Sequence, residues 1–114
     1  LTFDRKKWWK IHYAENSEYY KSKVKQYARV NVMKVLELKS RYKCKCGESN
    51  PLFLDFHHRN GDDKFMNVGQ MRLFSWKRVI KEIEKCDIMC MKCHRLQHTD
   101  PELIDYVNKL ITDK

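Results

Sequence analysis

Lys85-Cys86-Asp87-Ile88-Met89-Cys90-Met91-Lys92-Cys93-His94-Arg95-Leu96-Gln97-His98 is the stretch on which the reading of this chain turns. Asp87-Ile88-Met89 predicts a short strand that delivers Cys90. Cys90 and Cys93 enclose two residues, the common spacing of a metal-binding thiolate knuckle. Cys93 to His98 predicts the start of a helix, and four positions separate its two histidines. Both imidazoles therefore leave one face, as two ligands of one ion require. The plainer reading is a pair of surface or packed histidines, but here the helix starts at a knuckle that fixes it rigidly.

Working outward, a second knuckle stands upstream at Cys44-Lys45-Cys46-Gly47, with 43 residues between Cys46 and Cys90. Two such pairs are the usual arrangement of a four-thiolate structural zinc site, and Gly47 suits the tight turn a knuckle needs. The alternative for Cys44 and Cys46 is an ordinary buried cysteine beside a reduced surface one. Five cysteines are an odd number, and no apolar signal-peptide core follows the N-terminus. A disulfide framework is thus disfavoured, and a reducing, intracellular setting is expected. Cys86 is left over as a core residue.

Between the knuckles, Leu52-Phe53-Leu54-Asp55-Phe56-His57 predicts a strand that Arg59-Asn60-Gly61-Asp62-Asp63 breaks. Ser75 can cap a helix carrying Trp76, Val79, Ile80 and Ile83 and ending near Lys85. Asp100-Pro101 starts a last helix with Leu103, Val107, Leu110 and Ile111 facing inward. Upstream, Leu1 to Cys46 lacks Gly and Pro. Tyr20, Val24, Tyr27, Asn31, Val35, Leu38 and Tyr42 mark one helical stripe, and Ser17 and Asn31 can cap shorter helices within it. The body reads as strand, helix, strand, helix with helices on both flanks, an α+β class.

The chain has 114 residues and a net charge of +9. Charged residues make up 34%, against about 25% for an average soluble domain. Its longest apolar run, Ile88 to Met91, is four residues, which excludes a transmembrane helix. It begins at Leu1 and is expected to be a piece of something longer. Residues 1–45 hold 13 Lys/Arg and 4 Asp/Glu, so the whole excess charge sits there. Phe3, Trp8, Trp9, Tyr13, Tyr19, Tyr20 and Tyr27 are interleaved with it. A basic, aromatic segment beside a neutral body points to a polyanion, because phosphate contacts release counterions. A merely solvated lysine-rich helix is the bland alternative, and an anionic membrane surface a weaker one.

His57-His58 and His94/His98 form two clusters, with His12 an outlier expected at the surface. Phosphodiester hydrolysis needs a cation to stabilise charge on phosphate and leaving oxygen, and a neutral imidazole to deprotonate water. Alternation sends adjacent strand side chains to opposite faces, so periodicity leaves open which of His57 and His58 does which. Arg95, beside the histidine helix, is placed to hold a phosphate.

Cys44-x-Cys46-Gly47, Leu54-Asp55-Phe56-His57-His58 and Cys90-x-x-Cys93-His94-x-x-x-His98 together resemble the HNH endonucleases, especially small phage and mobile-element members with an extra four-cysteine zinc. The likeness covers roughly residues 42–99. It implies a ββα-metal (His-Me finger) core, with residues 1–42 a basic helical DNA-binding extension and 43–114 the nuclease domain and C-terminal helix. It further implies His58 as general base and His57, His94 and His98 as ligands of a catalytic divalent ion (Mg²⁺, Mn²⁺, Ni²⁺ or Zn²⁺). Cys44, Cys46, Cys90 and Cys93 would hold structural Zn²⁺. The partner would be double-stranded DNA, met by Lys6, Lys7, Lys10, Lys21, Lys23, Lys25 and Arg29, and the products a 5′-phosphate and a 3′-hydroxyl. With one cluster per chain, a double-strand break needs two chains or two encounters.

The sequence departs from that family in its Cys-x-Cys first knuckle and in having Lys85 and Lys92 where asparagines often stand. Asn60 and Asn67 are the candidates to orient the base in their place. A non-catalytic zinc module that binds nucleic acid is the alternative reading of the same residues. A zinc domain for protein contacts explains the charge split less well.

Overall fold

A computed structural model describes residues 2–113 of the chain. Helix α1 spans Arg5–Lys39, and the Asp4 carboxylate caps it by accepting from the Lys7 N–H at 3.0 Å. A non-helical residue, Asn16 (φ −123, ψ 19), divides it, so it is two helical stretches joined at a kink one residue before Ser17, with no further break at Asn31. The Asn16 side-chain amide donates to the His12 carbonyl at 2.8 Å, the acceptor a regular helix reserves for the Asn16 backbone N–H. That competition accounts for the bend.

Only the second half of the predicted α1 stripe packs. Val24, Tyr27 and Tyr42 are exposed, whereas Val35 and Leu38 are partly covered. Asn31 caps nothing. It is buried in the helix interior, and its amide donates to the carbonyls of Arg72 and Phe74, each at 2.8 Å. Those two bonds moor α1 to the loop ahead of the next helix. Asn31→Ala is expected to cost about 1 to 2 kcal/mol, since it removes two hydrogen bonds made by a buried amide. Val32→Ala, on the exposed side, should be nearly neutral, and denaturant melts of the two variants check the contrast.

Strand β1 is Leu54–His58 and strand β2 is Cys86–Cys90, paired antiparallel from Leu54↔Cys90 to His58↔Cys86. Pro51–Phe53 forms a 3₁₀ turn, so the strand starts two residues later than periodicity suggested. Asn50 caps that turn, and Pro51 cannot donate to a ladder. The connection between the strands carries helix α2, Trp76–Ile83, capped by Ser75 as expected. Arg59 clamps the strand ends, donating to the Cys86 carbonyl at 2.8 Å, to Asp87 at 3.1 Å and to the Glu84 carbonyl.

Helix α3, Met91–Gln97, follows β2 without a gap, and the Cys90 sulfur caps it by accepting from the Cys93 N–H. Alternation along β1 gives the sheet two working faces. Leu54, Phe56 and His58 point toward the core and α2, whereas Asp55 and His57 point toward α3.

The core is small. Val68, Met71, Val79 and Cys86 form one buried cluster, with Phe56, Phe74 and Trp76 packed on it. Cys44, Leu54 and Cys90 form the other. Helix α4, Pro101–Thr112, is capped by Asp100 with Pro101 in its first turn. Its apolar stripe does not face inward. Leu103, Val107, Leu110 and Ile111 are exposed, and of α4 only Ile104 is partly covered. Periodicity established the stripe, but burying it takes a facing surface, which the short sheet and α3 do not extend far enough to supply. The chain measures 77 × 29 × 28 Å with a radius of gyration of 20.9 Å, against about 13 Å for a compact chain of this length. Among the described residues no helix is long and apolar enough to cross a membrane.

Candidate metal centres

The sulfurs of Cys44, Cys46, Cys90 and Cys93 lie within 4.8 Å of one another. Four thiolates about 2.3 Å from a tetrahedral ion stand about 3.8 Å apart, so this donor set fits zinc. Cys46 and Cys90 sulfurs are already 3.5 Å apart. The short Cys-x-Cys knuckle closes because Gly47 takes φ +102, a conformation that side-chain-bearing residues rarely adopt. Gly47 N–H donates to the Cys44 carbonyl and Cys44 N–H to the Glu48 carbonyl, each at 2.9 Å, completing the turn.

The thiols are not equivalent. Backbone N–H groups of Cys46 and Cys90 pull the Cys44 thiol down to about 6. Hydrogen bonding with the thiols of Cys90, Cys44 and Cys46 pushes Cys93 up to about 12. Sulfurs this close penalise one another's ionisation, and a divalent cation removes that penalty. Cys86 belongs to neither centre. It is buried, its thiol is pushed up to about 11 by burial and by Glu82, and it packs as an inert core residue.

The second group is His57, His94 and His98, whose ligand nitrogens also lie within 4.8 Å of one another. Ring centroids are 5.0 to 5.2 Å apart. β1 presents His57, α3 presents His94, and His98 stands at the C-cap of α3 four positions on. Burial, and then the neighbouring His94 and His98, lower the His57 pKa, so its neutral, ligating form is favoured. Asp55 Oδ2 lies 3.1 Å from His94 Nδ1. A carboxylate there fixes the ring and leaves Nε2 to ligate. Leu52, Asp55, Met91, His94, Arg95, His98 and Thr99 line an open hollow beside the group, with Arg95 exposed at its edge.

His58 is not part of this group. Its imidazole lies on the other sheet face, where Nε2 is 2.9 Å from Glu82 Oε1, with side chains only 8% and 3% exposed. Glu82 also accepts from the Phe65 N–H at 2.9 Å and from Lys85 Nζ at 3.0 Å, and Lys85 Nζ donates to the Asp63 carbonyl at 2.8 Å. Burial alone would raise the Glu82 pKa, but these three donors outweigh it and hold it down to about 2. Neither asparagine considered as an orienter touches His58: the Asn60 side chain caps a 3₁₀ turn, and Asn67 makes no side-chain capping bond.

Glu82 and Asp55 were not legible as site residues from spacing alone. Two signals were present. Asp55 shares a strand face with His57 two positions on. Glu82 is an acid three residues after Val79, within the buried stripe of α2.

Lys6, Lys7, Lys10, Lys21, Lys23, Lys25 and Arg29 are all exposed on α1. Among the described residues, the first hydrogen bond from α1 to the body comes from Tyr27, whose hydroxyl donates to the Phe74 carbonyl at 3.0 Å. His12 is not a free surface residue; it stacks on Trp8 and bonds the Tyr20 hydroxyl. Comparison of the chain with family models, with curated proteins and with solved structures gave no match.

Proposed function

We propose that the chain is a divalent-metal-dependent DNA endonuclease of the HNH type, its ββα-metal core formed by β1, β2 and α3. The observation that carries this reading is the convergence of His57, His94 and His98 at the end of β1, where the next residue is a carboxylate-backed His58 on the opposite sheet face. A bound divalent ion would stabilise charge on the scissile phosphate and on the departing 3′ oxygen. The three imidazoles hold that ion, and Asp55 orients His94. His58 is the general base by resemblance to the HNH motif; Glu82 holds its Nε2, and its ring sits on the sheet face away from the three imidazoles. Arg95 holds a phosphate oxygen at the edge of the hollow. The exposed lysines of α1 engage the duplex backbone. Zinc on the four cysteines is structural and joins the first knuckle to the β2–α3 junction.

The burial of His58 favours a second reading, a zinc module that binds nucleic acid without cutting it. Supercoiled plasmid separates the two. Protein is treated with EDTA under conditions that leave its zinc in place, and Mg²⁺, Mn²⁺ or Ni²⁺ is then added back. Metal-restored nicking is expected, reduced at least about 100-fold in His58→Ala with zinc content unchanged. Plasmid binding with no nicking by any of the ions would leave the second reading standing.

A further inference from the structure

We propose that the N-terminal arm of α1 is a stacking platform for the unpaired bases of single-stranded DNA. Trp8 and Trp9 are each 48% exposed, and Tyr13 and Tyr19 are exposed beside them. The kink at Asn16 assembles these rings. His12 and Tyr20 are eight residues apart, about 12 Å along a straight helix, yet their side chains hydrogen-bond at 2.7 Å. Trp9 and Tyr20, eleven residues apart, have ring centroids 5.4 Å apart. Tyr13 stacks on Tyr20 at 5.9 Å and Trp8 on His12 at 4.6 Å.

The arm thus folds its rings into one patch, held by its own contacts, that leaves ring faces open to solvent. Exposed aromatic rings gathered in one place on a small chain mark a binding surface. Residues 4–25 carry seven Lys/Arg against three Asp/Glu, so the occupant is anionic. Aromatic faces among basic side chains match a flexible phosphate chain with exposed bases, since every base has a face to stack and the charge follows the backbone. A duplex hides those faces. A lipid-inserting helix segregates an apolar face, Trp, Phe and Leu included, from a basic one, and α1 as a whole shows almost no such segregation.

The choice of DNA over RNA rests on the nuclease reading. The binding itself is measured without cleavage, so failure of either idea is read separately.

The test uses the whole chain, with zinc bound and no other divalent ion, against a fluorescein-labelled dT 20-mer and a 20-base-pair duplex. The dT probe should quench tryptophan fluorescence. Trp8→Ala/Trp9→Ala should bind dT at least about 30-fold more weakly, with duplex affinity changed less than about threefold. Alanine favours the helix, and circular dichroism confirms it. Trp8→Phe/Trp9→Phe, which keeps the rings, should bind dT nearly as the parent does. Equal losses on both probes, no loss on dT, or tryptophan changes only with anionic phosphatidylserine vesicles would each overturn the proposal.

Discussion

Withdrawal of zinc by a high-affinity chelator is expected to unfold the body of the chain. Binding of a structural zinc contributes on the order of 10 kcal/mol or more, comparable to the whole stability of a domain. Little else here can replace it. Among the described residues seven hydrophobic side chains are buried, and two of them, Cys44 and Cys90, belong to the sulfur cluster that would hold the zinc. Cys90 also ends β2, pairs with Leu54 and caps α3, so its loss breaks several elements at once. Cys90→Ser should therefore behave like chelation, while Cys86→Ala, equally a cysteine but outside the cluster, should cost about 1 kcal/mol. Elemental analysis for one zinc per chain and thermal melts with and without chelator check this. A chain that keeps its melting temperature after losing its zinc would refute it.

The next largest effect is expected at Glu82. Glu82→Ala removes the acceptor of three donors in a nearly dry site, leaving the Phe65 N–H and His58 without it and Lys85 without its counter-ion, at a cost of about 3 kcal/mol. Glu82→Gln keeps an acceptor oxygen for the Phe65 N–H but loses the charge, so it should cost less. The wild-type contribution also has a pH signature. The carboxyl is held at about 2, below its ordinary 4.5. Unfolding therefore takes up a proton once the pH drops below the ordinary value. The stabilisation is complete above about pH 4.5 and is lost progressively as the pH falls toward 2. Denaturant melts of wild type and Glu82→Gln at pH 7, 4 and 3 should show a stability gap that narrows with acid. A gap constant across that range would mean that the charge of Glu82 contributes nothing.

What could be read directly from the sequence was local. Gly47, Ser75 and Asp100-Pro101 mark a turn and two helix starts through the conformations and capping bonds of neighbouring residues, and the structure places all three there. The Cys90–Cys93 and His94–His98 spacings likewise carry their own geometry. Legibility failed where a partner is distant in sequence. His58 and Glu82 are 24 positions apart, and Asn31 reaches across 41 and 43 positions to two carbonyls. Alternation separates His57 from His58, but only the packing of α2 against one face decides which sees the metal group. The stripe of α4 shows the same limit from the other side, since a pattern of apolar residues does not name the surface that covers it.

The junction of β2 and α3 has a consequence for how the chain tolerates insertion. Cys93 and His94 are adjacent on one turn of α3, so a ligand of the sulfur centre and a ligand of the imidazole centre share a single helical phase. One residue inserted between them turns His94 and His98 through about 100° relative to Cys93 and points both away from His57. The segment 59–85 carries none of the clustered cysteines or histidines, but it supplies Val68, Met71, Val79 and Glu82, so added length is accommodated only in the turns between them. An inserted residue is therefore expected to be tolerated in those turns and not in the fourteen-residue stretch from Lys85 to His98.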